Sequence, residues 1–210
     1  MKLYGYWRSS ASWRVRIGLN LKGVAYTYVA VNLLASEQKA DTHAERNPMR
    51  QVPVLELDDG TRLTQSLAIL DWIDHTQPGP GLYPTSPLDR ARAITLAEIV
   101  NAGIQPLQNL TVLGKLTALG ADPKAWSRDA IQTGLEALQA AAAPSARAFL
   151  VGDQPSVADI CLVPQLYNAR RFDCDLDRLA LLTAIEARCA ALPAFQAAHP
   201  DQQPDAQRAP

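Results

Sequence analysis

The sequence has few cysteines, no excess of charge of one sign and no long apolar run. Cys161, Cys174 and Cys189 are its three cysteines, and their odd number and irregular spacing argue against a disulfide framework or a metal site. The 20 basic and 21 acidic residues give a formal net charge of −1, so there is no basic field to attract nucleic acid or anionic lipid. No run of about 18 apolar residues can span a bilayer, and no basic, apolar leader is present. We therefore expect a cytoplasmic protein whose partners include neither nucleic acid nor a membrane.

The N-terminal part of the chain mixes strand and helix patterns. Short apolar, aromatic or β-branched runs predict strands at residues 2–7, 26–31, 52–57 and 62–64. Helical apolar spacing predicts helices over residues 13–22 and from Ser66 onward. Such a mixture is typical of a small α/β domain.

A composition change separates this part from the rest. Residues 77–87 (QPGPGLYPTSP) contain four prolines and two glycines and read as a linker. From residue 88 to about 191 only helical patterns occur. The sequence predicts an α/β domain over residues 1–80 and an all-helical domain over 86–210, whose polar, proline-rich end from His199 we expect to be loose.

Three hydroxyl side chains crowd the start of the first helix, at residues 8–12 (RSSAS). One hydroxyl is enough to cap a helix. We expect Ser12 to cap, which leaves Ser9 and Ser10 for an anionic group at the positive end of the helix.

Two further features fit a peptide-like ligand. Pro53 begins a strand, which either marks simple strand initiation or reflects a cis Val52–Pro53 bond that exposes the backbone of Val52 to an extended peptide. Gln65 and Ser66 open a helix, and such an end is a suitable carboxylate site. A thiol-bearing peptide with carboxylates would match all three places.

Six collinear stretches between residue 8 and about residue 205 resemble the zeta class of glutathione transferases: RSSASWRVRIGLNLKG, NPMRQVPVLELDDG, QSLAILDWID, IQPLQNLTVL, VGDQPSVADICLVPQ and FQAAHPDQQPD. The resemblance implies a thioredoxin-like N-terminal domain, an all-helical C-terminal domain, a glutathione site between them and a homodimer. One departure is Ala11, which stands where the class signature has cysteine.

The resemblance also implies roles for individual residues. Ser9 and Ser10 would be catalytic, stabilising the glutathione thiolate. The backbone of Val52, followed by Pro53, would pair with the cysteinyl unit, and Gln65 and Ser66 would hold the γ-glutamyl end. The further residues that would line the glutathione site are Gln38, Gln105, Asn109 and Thr111.

The activity implied is glutathione-dependent cis–trans isomerisation of a diacid, maleylacetoacetate, in aromatic amino-acid breakdown. Alternatives are maleylpyruvate as the substrate, conjugation of small α-halo acids, and a non-catalytic binding module. A diacid needs cationic partners, and Arg8 and Arg171 are the candidates. We expect Arg14 and Arg16 to be structural, on the exposed side of the first helix.

Ser156 and Asp159 have the spacing of a capping box at the start of a helix. We therefore expect Asp159 to be structural and not a catalytic acid.

Overall fold

The structure is a computed structural model and describes residues 1–207. Its contacts divide the chain into two compact units. The first unit contains Met1–Leu82 and the described residues from Ala191 onward, and the second contains Tyr83–Ala190. The last part of the chain thus packs with the N-terminal unit, whereas the sequence places it with the helical domain.

The first unit is built on a four-stranded mixed sheet in the order β2-β1-β3-β4. The strands are β1 (Lys2–Gly5), β2 (Thr27–Ala30), β3 (Val54–Glu56) and β4 (Arg62–Thr64). β2 is parallel to β1, β3 is antiparallel to β1, and β4 is antiparallel to β3. The predicted thioredoxin-like α/β unit is confirmed, although β1 to β3 are each two or three residues shorter than the apolar runs suggested.

The described residues also form a series of helices, numbered in chain order. These are α1 (Ser10–Leu21), α2 (Asp41–Ala44), α3 (Ser66–Thr76), α4 (Pro87–Glu98), α5 (Leu110–Ala118), α6 (Pro123–Ala142), α7 (Val157–Arg171), α8 (Ala180–Ala190) and α9 (Pro193–Ala198). A π-helical turn, Ile99–Ile104, and a 3₁₀ turn, Gln105–Gln108, connect α4 to α5. α1 begins three residues earlier than the apolar pattern predicts.

Helix α1 lies at the centre of the first unit, packed against α3 and α9. A Cβ placed on Gly18 would come within 2.2 Å of Leu70 Cδ2, so the close approach of α1 to α3 depends on glycine. Arg14 and Arg16 are fully buried. The expectation that they lie on the exposed side of α1 is wrong, because polar acceptors on α3 and on the returning C-terminal segment lie within reach of their guanidinium groups.

The C-terminal segment is attached to the first unit. Asn20 Nδ2 donates to the Ala194 carbonyl oxygen at 3.1 Å, and Arg16 Nε donates to the Ala198 carbonyl oxygen at 3.1 Å. Trp7 N–H donates to Asp205 Oδ2 at 3.0 Å. The expected loose tail is therefore wrong for residues 199–205, and residues 208–210 of that prediction lie outside the described part of the chain.

The second unit is helical, as predicted; within the described residues its β pairing is a single bridge between Ala146 and Gly152. The N-terminus of α7 carries the predicted capping box. Asp159 Oδ2 accepts from Ser156 N–H at 2.8 Å, and Asp159 Oδ1 accepts from Leu150 N–H at 2.9 Å. Along residues 1–207, none of the helices combines the length and apolar character that a membrane crossing requires.

Candidate active site

Several of the predicted site residues leave the sheet at one edge. Tyr4 in β1 pairs with Val54, the first residue of β3, and Val54 pairs with Thr64, the last residue of β4. Gly5 at the end of β1 pairs with Ala30 at the end of β2. Four chain segments therefore meet at the same edge of the sheet: those that follow β1, β2 and β4 and the one that precedes β3. These segments carry the candidates Ser9, Ser10, Gln38, Val52, Pro53, Gln65 and Ser66.

The start of α1 is capped by Ser9. Ser9 Oγ accepts a hydrogen bond from Ser12 N–H at 3.3 Å. Ser12 itself is fully buried, and its Oγ accepts from Tyr6 N–H at 3.4 Å. The expectation that Ser12 caps α1 is wrong, because its side chain points back toward the turn that precedes the helix.

Capping does not use up the Ser9 hydroxyl. A hydroxyl that accepts one hydrogen bond still has a proton to donate. Ser9 is half-buried, whereas Ser10 is 8% exposed. Ser9 thus presents an O–H donor at the positive end of a twelve-residue helix, where an anion is stabilised.

Arg8 directly precedes this cap. Its guanidinium carbon lies 5.2 Å from the centroid of the Trp7 ring, and the side chain is half-buried. Contact with the aromatic face stabilises the cation without neutralising it.

The backbone before β3 is held by residues that sequence reasoning did not identify. The Val52–Pro53 bond is cis, which is one of the two alternatives that the sequence left open. The Gln51 carbonyl oxygen accepts from Asn47 Nδ2 at 2.9 Å and lies 3.0 Å from His43 Nε2. His43 and Asn47 are both buried. They fix the peptide unit that leads into Val52; the asparagine before Pro48 was the one local signal of a turn at this place.

The start of α3 combines backbone donors with a buried cation. Gln65 precedes the helix with φ of 68°, in the left-handed region. Ser66 is 4% exposed, and its Oγ accepts from Arg14 Nη1 at 3.3 Å. Arg14 therefore adds positive charge to a helix N-terminus that already favours a carboxylate.

Gln38 lies in a 3₁₀ turn, Glu37–Lys39, after β2. Its Oε1 atom is buried and has no hydrogen-bond partner within residues 1–207. A buried amide without a partner is costly, so a ligand that supplies one would be stabilised there.

In the second unit, three candidates lie around the start of α5. Gln105 opens the 3₁₀ turn, and Asn109 caps α5, with its Oδ1 accepting from Thr111 N–H at 3.0 Å. Asn109 and Thr111 are exposed, and Gln105 is half-buried. The cap engages Asn109 Oδ1, and the amide nitrogen of the same side chain is a hydrogen-bond donor.

Two neighbouring arginines end α7 with different partners. Arg171 Nη1 donates to Asn168 Oδ1 at 3.0 Å, and its guanidinium lies 5.6 Å from the Phe172 ring centroid. Arg170 forms a two-bond ion pair with Glu186, with Nη1 to Oε1 at 2.7 Å. The Arg170 guanidinium is thus joined to a carboxylate by two parallel hydrogen bonds.

Family models of the glutathione S-transferase N-terminal domain and C-terminal domain match residues 3–81 and 63–197. A maleylacetoacetate isomerase of Rhizobium meliloti is 50% identical over 95% of this chain and 96% of its own length. That of Rattus norvegicus is 43% identical over 97% of this chain and 94% of its own.

The chain is also similar to solved structures of maleylacetoacetate and maleylpyruvate isomerases. A maleylacetoacetate isomerase of Anaeromyxobacter dehalogenans with GSH bound in its active site is 52% identical, with a TM-score of 0.91 over 98% of this chain and 97% of that one. A maleylpyruvate isomerase, a bacterial zeta-class glutathione S-transferase, is 41% identical, with a TM-score of 0.95 over 99% of this chain and 100% of that one.

Proposed function

Because the chain belongs to the glutathione S-transferase family, we propose that it is a glutathione-dependent cis–trans isomerase that converts maleylacetoacetate to fumarylacetoacetate. One observation carries the proposal. The sheet register brings the ends of β1, β2 and β4 and the start of β3 to one edge, where Ser9 presents an O–H donor at the N-terminus of α1.

The residues at this edge fit glutathione. The N-terminus of α3 with Ser66 and Arg14 suits the α-carboxylate of the γ-glutamyl unit. Val52 lies outside the paired residues of β3, so its N–H and C=O can pair with the cysteinyl unit in the manner of an added strand. The Gln38 amide, whose oxygen is buried and without a hydrogen-bond partner among residues 1–207, can present its oxygen or its nitrogen to the remaining polar end of glutathione.

Glutathione, when bound, supplies a thiolate whose reversible addition to the substrate's cis double bond permits rotation about that bond. The chain must therefore lower a thiol pKa from about 8.5. A lowering of about two units needs about 2.7 kcal/mol. A hydrogen bond to a charged sulfur supplies about 1.5–3 kcal/mol, and a helix N-terminus about 0.3–1 kcal/mol. Ser9 and the N-terminus of α1 together reach this value. We therefore propose that Ser9 is the main residue that stabilises the glutathione thiolate and that Ser10 supports it.

The diacid requires cations and polar groups. Arg8 and Arg171 are the proposed carboxylate ligands, because a guanidinium matches a carboxylate with two parallel hydrogen bonds. Three residues of the second unit are proposed to bind glutathione: Gln105, Asn109 and Thr111. These assignments rest on the resemblance and on the exposed or half-buried position of each side chain.

Maleylpyruvate is the second candidate substrate. The structure of a maleylpyruvate isomerase superposes on this chain with a TM-score of 0.95. The relatives with 50% and 52% identity are named maleylacetoacetate isomerases, which favours the longer diacid.

We further propose a cytoplasmic homodimer. Leu88 is 60% exposed and Ile94 is 39% exposed on α4, and apolar side chains of this size favour burial at an interface. Sedimentation velocity tests the assembly: a single species near twice the chain mass of 22.8 kDa supports it, and a monomer at micromolar concentration contradicts it.

The function is tested by incubating the protein with maleylacetoacetate or maleylpyruvate, each with and without glutathione, and identifying the product by its double-bond geometry. We expect rapid formation of fumarylacetoacetate only with glutathione. Faster turnover of maleylpyruvate would transfer the assignment to the second substrate. Conjugates of α-halo acids in the absence of isomerisation would contradict the proposal, as would failure to bind glutathione.

A further inference from the structure

The main chain of Trp7 is held at both of its polar atoms by residues from elsewhere in the chain. Its N–H donates to Asp205 Oδ2 at 3.0 Å, across 198 positions of sequence. Its carbonyl oxygen accepts from Arg16 Nη2 at 2.8 Å. One residue of the loop between β1 and α1 is thus clamped between an anion and a cation.

The two charged groups belong to one network with Tyr28 of β2. Tyr28 O–H donates to Asp205 Oδ2 at 3.2 Å, and the Arg16 guanidinium lies 5.9 Å from the Tyr28 ring centroid. Arg16 is fully buried. Burial lowers the pKa of Arg16 to about 10, although the charge of Asp205 raises it. Asp205 is therefore a nearby counter-charge for this buried cation.

The clamp lies next to the proposed thiolate ligand. Ser9 follows Trp7 by two residues, and Ser9 N–H donates to the Tyr6 carbonyl oxygen at 3.0 Å. Trp7 lies inside this tight turn. A shift of the Trp7 peptide must therefore move the turn and with it the hydroxyl of Ser9.

We infer that Asp205 and Arg16 are positioning residues that hold the Trp7 backbone, so that the C-terminal segment sets the alignment of the Ser9 hydroxyl toward the thiolate. This inference deepens the proposed function and rests on it. It gives a role to the QPD stretch at residues 203–205, which the thiolate chemistry alone does not explain.

Packing of the C-terminal segment does not by itself require this arrangement. Phe195 and Ala198 of α9 are buried and anchor the segment against the first unit. Asp205 lies beyond α9 and beyond the 3₁₀ turn Pro200–Gln202, and its Oδ2 accepts hydrogen bonds from Trp7 N–H and Tyr28 O–H. The carboxylate therefore acts on the loop before α1, while α9 provides the attachment.

The test compares D205A with Y28F, which removes only the hydroxyl that donates to Asp205. D201A is the matched control, because Asp201 lies on the same segment and its carboxylate is 59% exposed next to His199. Three quantities are measured: the pKa of the bound glutathione thiol from thiolate absorbance, the hydrogen-exchange rate of the Trp7 and Ser9 amides without glutathione, and the melting temperature.

We expect D205A to raise the bound thiol pKa by about one unit, which lowers the thiolate fraction at pH 7 about threefold, and to accelerate Trp7 amide exchange at least tenfold. Y28F should shift both in the same direction by less, and D201A should shift neither. A chain that ends at Gln203 should behave as D205A does, whereas a chain that ends at Gln207 should match the full chain.

A lowered melting temperature in folded D205A and Y28F, with the thiol pKa and amide exchange of the wild type, would overturn the inference and leave Asp205 with a merely structural role. Failure of the wild-type protein itself to bind glutathione or lower its thiol pKa would instead refute the proposed function. In that case the amide-exchange comparison, made without glutathione, still decides whether Asp205 holds Trp7.

Discussion

Arg14 Nη1 donates a hydrogen bond to Ser66 Oγ at 3.3 Å and so joins α1 to the N-terminus of α3. Both side chains are buried. The guanidinium therefore contributes positive charge at the point where backbone N–H groups of α3 already favour an anion. Helix α1 thus serves two sites. Its N-terminus forms the proposed thiolate site, and its Arg14 side chain supports the proposed carboxylate site at the start of α3.

S66A should weaken glutathione binding about tenfold, because a hydrogen bond to a charged group contributes about 1.5–3 kcal/mol. The pKa of the bound thiol should stay unchanged, since Ser9 remains in place. Calorimetric titration with glutathione measures the affinity, and S66T is the control that keeps a hydroxyl. Equal glutathione affinity of S66A and the wild type would show that the γ-glutamyl carboxylate does not bind at the N-terminus of α3.

S9A should lower the turnover number at saturating glutathione about 10- to 100-fold and raise the pKa of the bound thiol by one to two units. Loss of the cap should also cost about 1 kcal/mol of folding stability. S9T keeps both the cap and the donor, so it should retain most of the activity. A larger loss of activity in S10A than in S9A would show that Ser10, and not Ser9, is the main residue that stabilises the glutathione thiolate.

R171M should raise the KM for the diacid about tenfold or more while leaving glutathione affinity near the wild-type value, because one carboxylate loses its two-bond partner. R170M is the matched control: Arg170 is engaged with Glu186, so its loss should affect stability and leave KM within about twofold. Steady-state kinetics with varied diacid measures both. A larger KM effect in R170M would exchange the roles of the two residues.

Local patterns predicted much of this structure because they depend on neighbouring residues. The capping box of Ser156 and Asp159, the strands and the start of α3 at Ser66 all follow from spacing and residue type within a few positions. Ser12 was assigned as the cap wrongly for a related reason. Several hydroxyls in one turn satisfy the same local rule, and only the observed direction of each side chain identifies Ser9.

Burial of charge could not be predicted in this way. Arg14 and Arg16 look like surface residues because an isolated buried guanidinium is unfavourable. Apart from the Trp7 carbonyl, which is nine positions from Arg16, their partners are Ser66, Asp205 and the carbonyl of Ala198, and these lie from 52 to 189 positions away. No periodicity connects residues at such distances, so the C-terminal segment was expected to be loose when it in fact reaches Trp7.

Asp159 should make stability depend on pH. Burial raises the pKa of Asp159 to about 6, against hydrogen bonds from Leu150 and Ser156 that lower it. Between about pH 4 and pH 6 the folded state keeps a proton that the unfolded state has released, so the unfolding free energy falls as pH rises, by up to about 3 kcal/mol.

Urea unfolding of the wild type and D159N across this range isolates that change, because the asparagine does not titrate. We expect the stability difference between the two proteins to shift in favour of D159N as pH rises. A difference that stays constant from pH 4 to pH 7 would show that the hydrogen bonds fully offset the cost of burying the charge.

The central claim is that Ser9 and the N-terminus of α1 activate a thiol that returns unchanged after each turnover. The most direct test supplies maleylacetoacetate in about 100-fold excess over glutathione and follows both the product and the thiol. The account predicts complete conversion to the trans isomer with all of the glutathione recovered. Conversion that stops at one equivalent, with glutathione consumed in a conjugate, would contradict it.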